Sequence, residues 1–326
     1  MPEVLLEGRD LVKHYPVTRG ILQRTVGWVR AVDGVSFKVE QGKTLAVVGE
    51  SGAGKSTVAK ALLLLERLTS GSILYHGEDL YKFSPARLKA EYRPKVSTVQ
   101  QNPYSSMNPR MRIKDVIGES LFVNTKLTHK QVYDKAAELL SKVGLGIEAL
   151  NRYPHEFSGG QRQRIVVARS LAMDPRLIIL DEPVSALDVS IRAQIMNLLK
   201  DLQVESNLSY IVIAHNLATV RYMSHSVMIM YLGQVVEYGE TETLFENPLH
   251  PYTRALISAS QLTLPEEGED TTTKQIILTG EMPSPLNPPS GCRFHTRCAE
   301  ASESCSKEIP EMRTVGTQQV MCHHYK

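Results

Sequence analysis

Three clusters in this chain carry residue types that do chemistry at a useful spacing. The first, Gly49-Glu-Ser51-Gly52-Ala53-Gly54-Lys55-Ser56-Thr57, satisfies GxxxxGK[ST] through Gly49, Gly54, Lys55 and Ser56. Glycines let the backbone wrap close to a polyphosphate, so consecutive N–H groups and a helix N-terminus point at negative charge. Lys55 adds a cation over the β- and γ-phosphates, and Ser56 offers a hydroxyl to Mg²⁺. The second, Leu177-Ile-Ile-Leu-Asp181-Glu182-Pro, is an apolar run ending in two carboxylates. Alternation along a strand turns Asp181 and Glu182 in different directions. Asp181 can hold Mg²⁺ while Glu182 faces an attacking water as general base or positioning group. The third is Cys292, Cys298, Cys305 and Cys322, the only cysteines of the chain. In a reducing compartment such a cluster suits a metal or redox site better than a disulfide framework.

These residues need elements to position them. Val4, Leu6 and Leu11–Tyr15 alternate as β structure, as does Ala31–Glu40. The strand Thr44–Gly49 feeds the glycine-rich loop and a helix, the context that makes the phosphate motif credible. From about Ser84 to Tyr153 the pattern is mostly helical, and Lys130–Gly144 has amphipathic spacing. A helix over 161–173 leads to the strand Leu177–Leu180, and a helix over 191–202 leads to the strand 209–215. Short β segments over 226–236 close this α/β unit. Beyond about Pro251 prolines multiply, with Gly and Ser between them, and a small loop-rich appendage is expected.

Composition excludes several classes. Lys+Arg is 37 against 35 for Asp+Glu among 326 residues, so the net charge is only +2 and no nucleic-acid partner is expected. The longest aliphatic run, Leu62–Leu65, falls far short of the roughly 20 apolar residues of a membrane span. Glu3, Glu7 and Asp10 stand where a secretory signal needs a basic head and an apolar stretch. The expectation is a cytosolic, soluble chain that reaches a membrane only through partners.

Phe157-Ser158-Gly159-Gly160-Gln161 completes the pattern. With the phosphate loop and the acidic strand, its order and spacing resemble the nucleotide-binding subunits of ABC transporters, with Phe157 in place of the signature's leucine. The resemblance implies an ABC-type P-loop α/β fold: a RecA-like core, an antiparallel β subdomain and a helical subdomain over about 84–153. In that family the signature binds the γ-phosphate of ATP held by the other subunit, so active sites form across a dimer. By the same resemblance, Gln101 is the Q-loop glutamine that joins metal and water to the membrane-facing surface. Ser185-Ala186-Leu187-Asp188 is the D-loop, His215 the switch histidine, and Tyr15 the aromatic that stacks on adenine. The resemblance implies that residues 49 and 51–57 bind ATP, that Ser56, Gln101 and Asp181 attend Mg²⁺, and that Glu182, His215 and Gln101 are catalytic.

Asn102–Arg110, His250-Pro-Tyr-Thr-Arg-Ala-Leu256 and Pro288–Cys298 are similar to the dipeptide and oligopeptide permease branch, and the insertion Val17–Arg30 resembles its F-type subunit. The implied organisation is a nucleotide-binding domain over 1–255 and a C-terminal extension over 256–326. The implied partners are a second, D-type ATPase subunit in a heterodimer, two transmembrane permease subunits and, indirectly, an extracytoplasmic peptide-binding protein. The implied location is the cytoplasmic face of the plasma membrane. The cysteine spacing, C-x5-C-x6-C-x16-C, departs from paired CxxC zinc ribbons and from common ferredoxin runs. Four thiolates suffice for zinc or a [4Fe–4S] cluster, and four free thiols are the third possibility; the branch resemblance favours the cluster. His295, His323 and His324 read as bystanders. Rival functions are a soluble ABC-type ATPase of translation or DNA repair, an importer of nickel, glutathione or oligosaccharide, and a redox sensor gating the ATPase. A single cassette, with no room for a long coiled coil between Lys55 and Asp181, opposes the first.

Overall fold

A computed structural model describes residues 3–20, 24–185, 187–261, 278 and 280–325. Its strands run β1 Val4–Arg19, β2 Arg24–Glu40, β3 Thr44–Val48, β4 Ser70–Tyr75, β5 Glu78–Asp79, β6 Val96–Val99, β7 Leu177–Asp181, β8 Ser209–Ala214, β9 Ser226–Tyr231, β10 Gln234–Glu240, β11 Arg313–Val315 and β12 Gln318–Val320. The chain divides into two units, one of Val39–Lys43 and Lys82–Val212, the other of Val4–Lys38, Thr44–Tyr81 and Ile213–Lys326.

In the first unit the apolar run Leu177–Leu180 is buried throughout, as a strand covered on both faces must be. It pairs in parallel with β6, Val96 opposite Leu177 and Val99 opposite Leu180. The helix Ile113–Asn124 packs on His129–Lys142, which opens with a capping box between Thr128 and Gln131. Gly159–Leu171 buries Ile165, Val166, Val167 and Ala168, and Val189–Ser206 ends at Asn207 in the left-handed region. The segment 84–153 is therefore less helical than its pattern suggests. It contains β6, because Val-Ser-Thr-Val is too short to show a period yet finds a parallel partner in β7.

In the second unit β2, β1, β4 and β5 form a sheet in that order, with β1 antiparallel to β4. β3 pairs in parallel with β9, Leu45 opposite Ser226 and Val48 opposite Ile229. A tight turn joins β9 to β10, with Leu232 and Gly233 both at positive φ, 45° and 80°. That conformation matches the twist of a two-residue hairpin. A C-terminal hairpin of β11 and β12, absent from the sequence pattern, continues this sheet, with β12 antiparallel to β10 and Val320 opposite Glu237. Each tail strand is three residues long, below any readable alternation. The helix Pro251–Gln261 runs through the expected division at 255/256.

Candidate functional site

The phosphate loop leaves the buried strand β3 and enters the helix Lys55–Leu62. Two of its glycines are required by close approach. A Cβ on Gly54 would stand 2.2 Å from the Ala31 carbonyl oxygen at a φ of 105°, and one on Gly49 would stand 2.3 Å from the Met230 carbonyl oxygen. Ser51, Gly52 and Ser56 are exposed, Gly54 and Thr57 half-buried, and Ala53 and Lys55 buried. The Lys55 ammonium donates to the carbonyls of Gly49 at 2.7 Å and Glu50 at 2.8 Å. The lysine charge is thus gathered at the mouth of the loop. His215 stands exposed just after β8, and Tyr15 lies half-buried in β1 with the Lys13 ammonium 4.7 Å from its ring centroid.

The acidic half of the chemistry belongs to the other unit. Asp181 ends β7, and Glu182 follows at a φ of 48°, the left-handed region that is strained for a non-glycine residue. The Ser185 amide and hydroxyl both donate to the Glu182 carbonyl, at 3.2 and 3.1 Å, and hold the turn. The Gln101 side-chain amide donates to the Glu182 carboxylate at 2.6 Å. Of the four D-loop residues, Ser185, Leu187 and Asp188 are described, with Asp188 at the N-cap position of the helix Val189–Ser206; Ala186 lies outside the described residues.

Ser158 caps the helix Gly159–Leu171. Its hydroxyl accepts from the Gln161 amide, and the Gln161 side chain accepts from the Ser158 amide. Gly160 is needed for close packing, since a Cβ there would stand 2.6 Å from Ile191. Phe157, the departure from the signature leucine, is buried, with the Arg152 guanidinium 4.6 Å from its ring centroid. Ser158, Gly159 and Gln161 are exposed, so this helix N-terminus, with no acidic residue in its first turn, faces outward as an anion acceptor.

The four cysteines are gathered in the tail. The Cys292 amide donates to the Cys305 carbonyl at 2.8 Å. Burial pushes the Cys292 thiol up to about 11, against a hydrogen bond from the Phe294 amide and with Cys305, Cys322 and Cys298 adding to the rise. Burial likewise raises Cys298 and Cys322, which the amides of Glu300 and His324 oppose. His295, His323 and His324 each donate a ring N–H to a backbone carbonyl. Even so, among the described residues no group of three or more His, Cys, Asp or Glu side chains is arranged to hold a metal ion. Burial disfavours the thiolate forms of Cys292, Cys298 and Cys322, the forms that would ligate a metal.

Sequence reasoning misses two contacts of the phosphate loop. The Glu50 amide donates to the Tyr252 hydroxyl oxygen at 3.0 Å, and Arg297 meets the Glu50 carboxylate. The only signal in the sequence is that Tyr252 and Arg297 sit inside the branch motifs His250–Leu256 and Pro288–Cys298, with no role attached.

A glycine-rich phosphate loop, a strand ending in paired carboxylates and an outward serine-glycine helix cap define an ATP-binding cassette ATPase. The ABC transporter family matches residues 32–185, and the oligopeptide/dipeptide transporter C-terminal region matches residues 236–305. The chain is 49% identical over 322 residues to the di/tripeptide transport ATP-binding protein DppF of Pseudomonas aeruginosa, covering 99% of this chain and 98% of that one. It is 47% identical to the oligopeptide transport ATP-binding protein AppF of Bacillus subtilis, over 99% of this chain and 98% of that one. The fold is similar to that of the ATP-binding cassette MJ0796 in a dimeric post-hydrolysis state bound to ADP and Pi. The TM-score is 0.63 at 24% identity, over 73% of this chain and 99% of that one. This chain belongs to the family of ABC transporter ATP-binding proteins of dipeptide and oligopeptide transport. Among the described residues no helix is long and apolar enough to cross a membrane.

Proposed function

We propose that this chain is the ATP-hydrolysing subunit of a dipeptide or oligopeptide importer, attached peripherally to the cytoplasmic face of the membrane. The observation that carries the hydrolytic part is the 2.6 Å contact from Gln101 to Glu182. It joins the segment expected to sense the membrane partners directly to the expected general base. Identities of 49% and 47% over nearly the whole of the di/tripeptide and oligopeptide transport relatives support the cargo class.

In this reading residues 49 and 51–57 cradle the ATP phosphates, Lys55 leaves its loop carbonyls for the β- and γ-oxygens, and Tyr15 stacks on adenine. Ser56, Gln101 and Asp181 are the residues that would hold Mg²⁺, which neutralises charge on the transferring phosphoryl group when bound. Glu182 takes the proton of the attacking water, and His215 reports the γ-phosphate. Ser158, Gly159, Gly160 and Gln161, with the D-loop over 185–188, serve the ATP of a second ATPase subunit, a D-type paralogue. Two permease subunits and a peptide-binding protein complete the system. The exposure of Ser158, Gly159 and Gln161 at this cap supports a role in trans.

The tail belongs to the same proposal. Cys292, Cys298, Cys305 and Cys322 would hold a [4Fe–4S] cluster or, as the alternative, zinc. The 2.8 Å hydrogen bond from the Cys292 amide to the Cys305 carbonyl, which brings two of the four cysteines together, supports the donor set. Closing onto a metal would require the thiols to lose their protons and draw together.

The test is reconstitution of the anaerobically purified chain with its membrane subunits in vesicles. ATP hydrolysis stimulated by peptide-loaded binding protein, with uptake of labelled di- or tripeptide, is expected. Stimulation by nickel, glutathione or an oligosaccharide instead would refute the cargo. About four irons and four acid-labile sulfides per chain would be the mark of the cluster. Stoichiometric zinc, or neither metal in an active ATPase, would refute it.

A further inference from the structure

The phosphate-loop pattern leaves Glu50 unspecified, yet Glu50 is held through its amide, its carbonyl and its carboxylate. Its amide donates to Tyr252, and its carbonyl accepts from Lys55 at 2.8 Å and from the Ala53 amide at 3.2 Å. Its two carboxylate oxygens lie 3.0 and 3.1 Å from one guanidinium nitrogen of Arg297. The Arg297 side chain is 7% exposed and that of Glu50 is 30% exposed, so the pair is partly shielded from water. Tyr231, Tyr252 and Phe294 pack as an aromatic cluster with centroids 4.9 to 5.3 Å apart. The Arg297 guanidinium lies 5.9 Å from the Tyr231 ring centroid at the edge of that cluster.

A second tie runs alongside. Arg293 donates to the Leu232 carbonyl and to the Asp33 carboxylate. Leu232 belongs to the turn whose Gly233 amide donates to the Ala53 carbonyl at 2.9 Å, inside the loop. Tyr252, Arg297, Arg293 and Gly233 all brace the loop from beyond the phosphate-loop motif, and both arginines stand beside cysteines, Arg293 after Cys292 and Arg297 before Cys298.

An unpaired carboxylate at the mouth of a loop that receives a polyphosphate would repel its ligand. A loop free to wander would also lose ordering free energy at each binding event. We propose that Arg297 is a positioning residue for the phosphate loop: by holding the Glu50 carboxylate it neutralises the loop's own negative charge and sets the loop for ATP. The inference rests on ATP occupying this loop. It makes the C-terminal extension part of nucleotide binding rather than an appendage to it.

The experiment is titration of the full-length chain with a fluorescent ATP analogue, alongside steady-state hydrolysis, for wild type, R297Q, R297K, E50Q and the double variant E50Q/R297Q. R297Q should weaken ATP binding and raise KM by about tenfold, the size expected when a charged group loses its hydrogen-bonded partner. Its kcat should change by less than about threefold, because chemistry at saturation is not the step addressed. R297K should recover most of the affinity, since one nitrogen meets both Glu50 oxygens and an ammonium can do the same. E50Q should relieve R297Q in the double variant, because the charge that needed neutralising is gone. A merely structural arginine would show no such relief. R297Q binding within about twofold of wild type, or a double variant as weak as R297Q, overturns the inference. Should circular dichroism show that R297Q loses its fold, R297K and the double variant decide it by the same criteria. Failure of wild type itself to bind ATP would overturn the ATP assignment instead.

Discussion

Replacing Glu182 by glutamine isolates proton acceptance from geometry. The two side chains are nearly isosteric, and the new amide oxygen can still accept the Gln101 N–H that now reaches Glu182 at 2.6 Å. The turn is unaffected, because Ser185 holds it through the Glu182 carbonyl rather than the carboxylate. The ground state therefore loses only the difference between a charged and a neutral acceptor, about 1 kcal/mol, and nucleotide affinity should move by less than about fivefold. What would disappear is the proposed base. General-base catalysis contributes about 10²–10⁴-fold, so kcat should fall by that factor, or about 3–5 kcal/mol in barrier at 1.36 kcal/mol per decade. The assay is single-turnover phosphate release from the assembled transporter preloaded with ATP, with bound nucleotide measured in parallel. The variant should retain ATP and accumulate the closed dimer. Phosphate release within tenfold of wild type would remove Glu182 from the base role, and lost ATP binding would mean that its charge is structural.

The packing sets two further outcomes. Gly54→Ala places a methyl 2.2 Å from the Ala31 carbonyl at a φ of 105°, so ATP affinity should be largely lost and stability should fall by about 2 kcal/mol or more, read by equilibrium denaturation. His250 is fully buried and its Nδ1 accepts the Tyr252 amide at 3.0 Å, so burial pushes its pKa down to about 3. The folded pKa lies below the unfolded one of about 6.5, so the unfolded chain takes up the proton first. Stability is whole above pH ~6.5 and should decline as pH falls toward 3, at up to about 1.4 kcal/mol per unit. A His250→Gln variant should lose that slope; an unchanged denaturation profile between pH 6.5 and 4.5 would contradict the assignment.

The phosphate loop was legible because its chemistry admits few residues: Gly49 and Gly54 stand against carbonyls that no side chain clears. The acidic strand was legible for a similar reason, since four consecutive buried aliphatics before Asp181 have few other uses. Contacts that depend on tertiary approach were not legible. The family resemblance put Gln101 and Glu182 at one site but not in direct contact, and nothing in the sequence joins Arg297 to Glu50; the pairs are 81 and 247 residues apart. β6 and the tail strands were hidden because three or four residues cannot display a period. The cysteines were legible as a cluster in sequence but not as a state, for their spacing carries nothing of the burial that pushes the Cys292 thiol up.

The pairing of β12 with β10 sets an order of events during synthesis. β10 is complete at residue 240, but its neighbour is not made until residues 318–320, close to the end of the chain. Until then its outer edge presents unpaired N–H and C=O groups beside a strand whose Val235 and Val236 are buried in the finished protein. Such an edge invites pairing with another chain. A chain in which β12 cannot pair would retain every residue of the ATPase motifs and still present that edge, so this short strand guards solubility rather than chemistry.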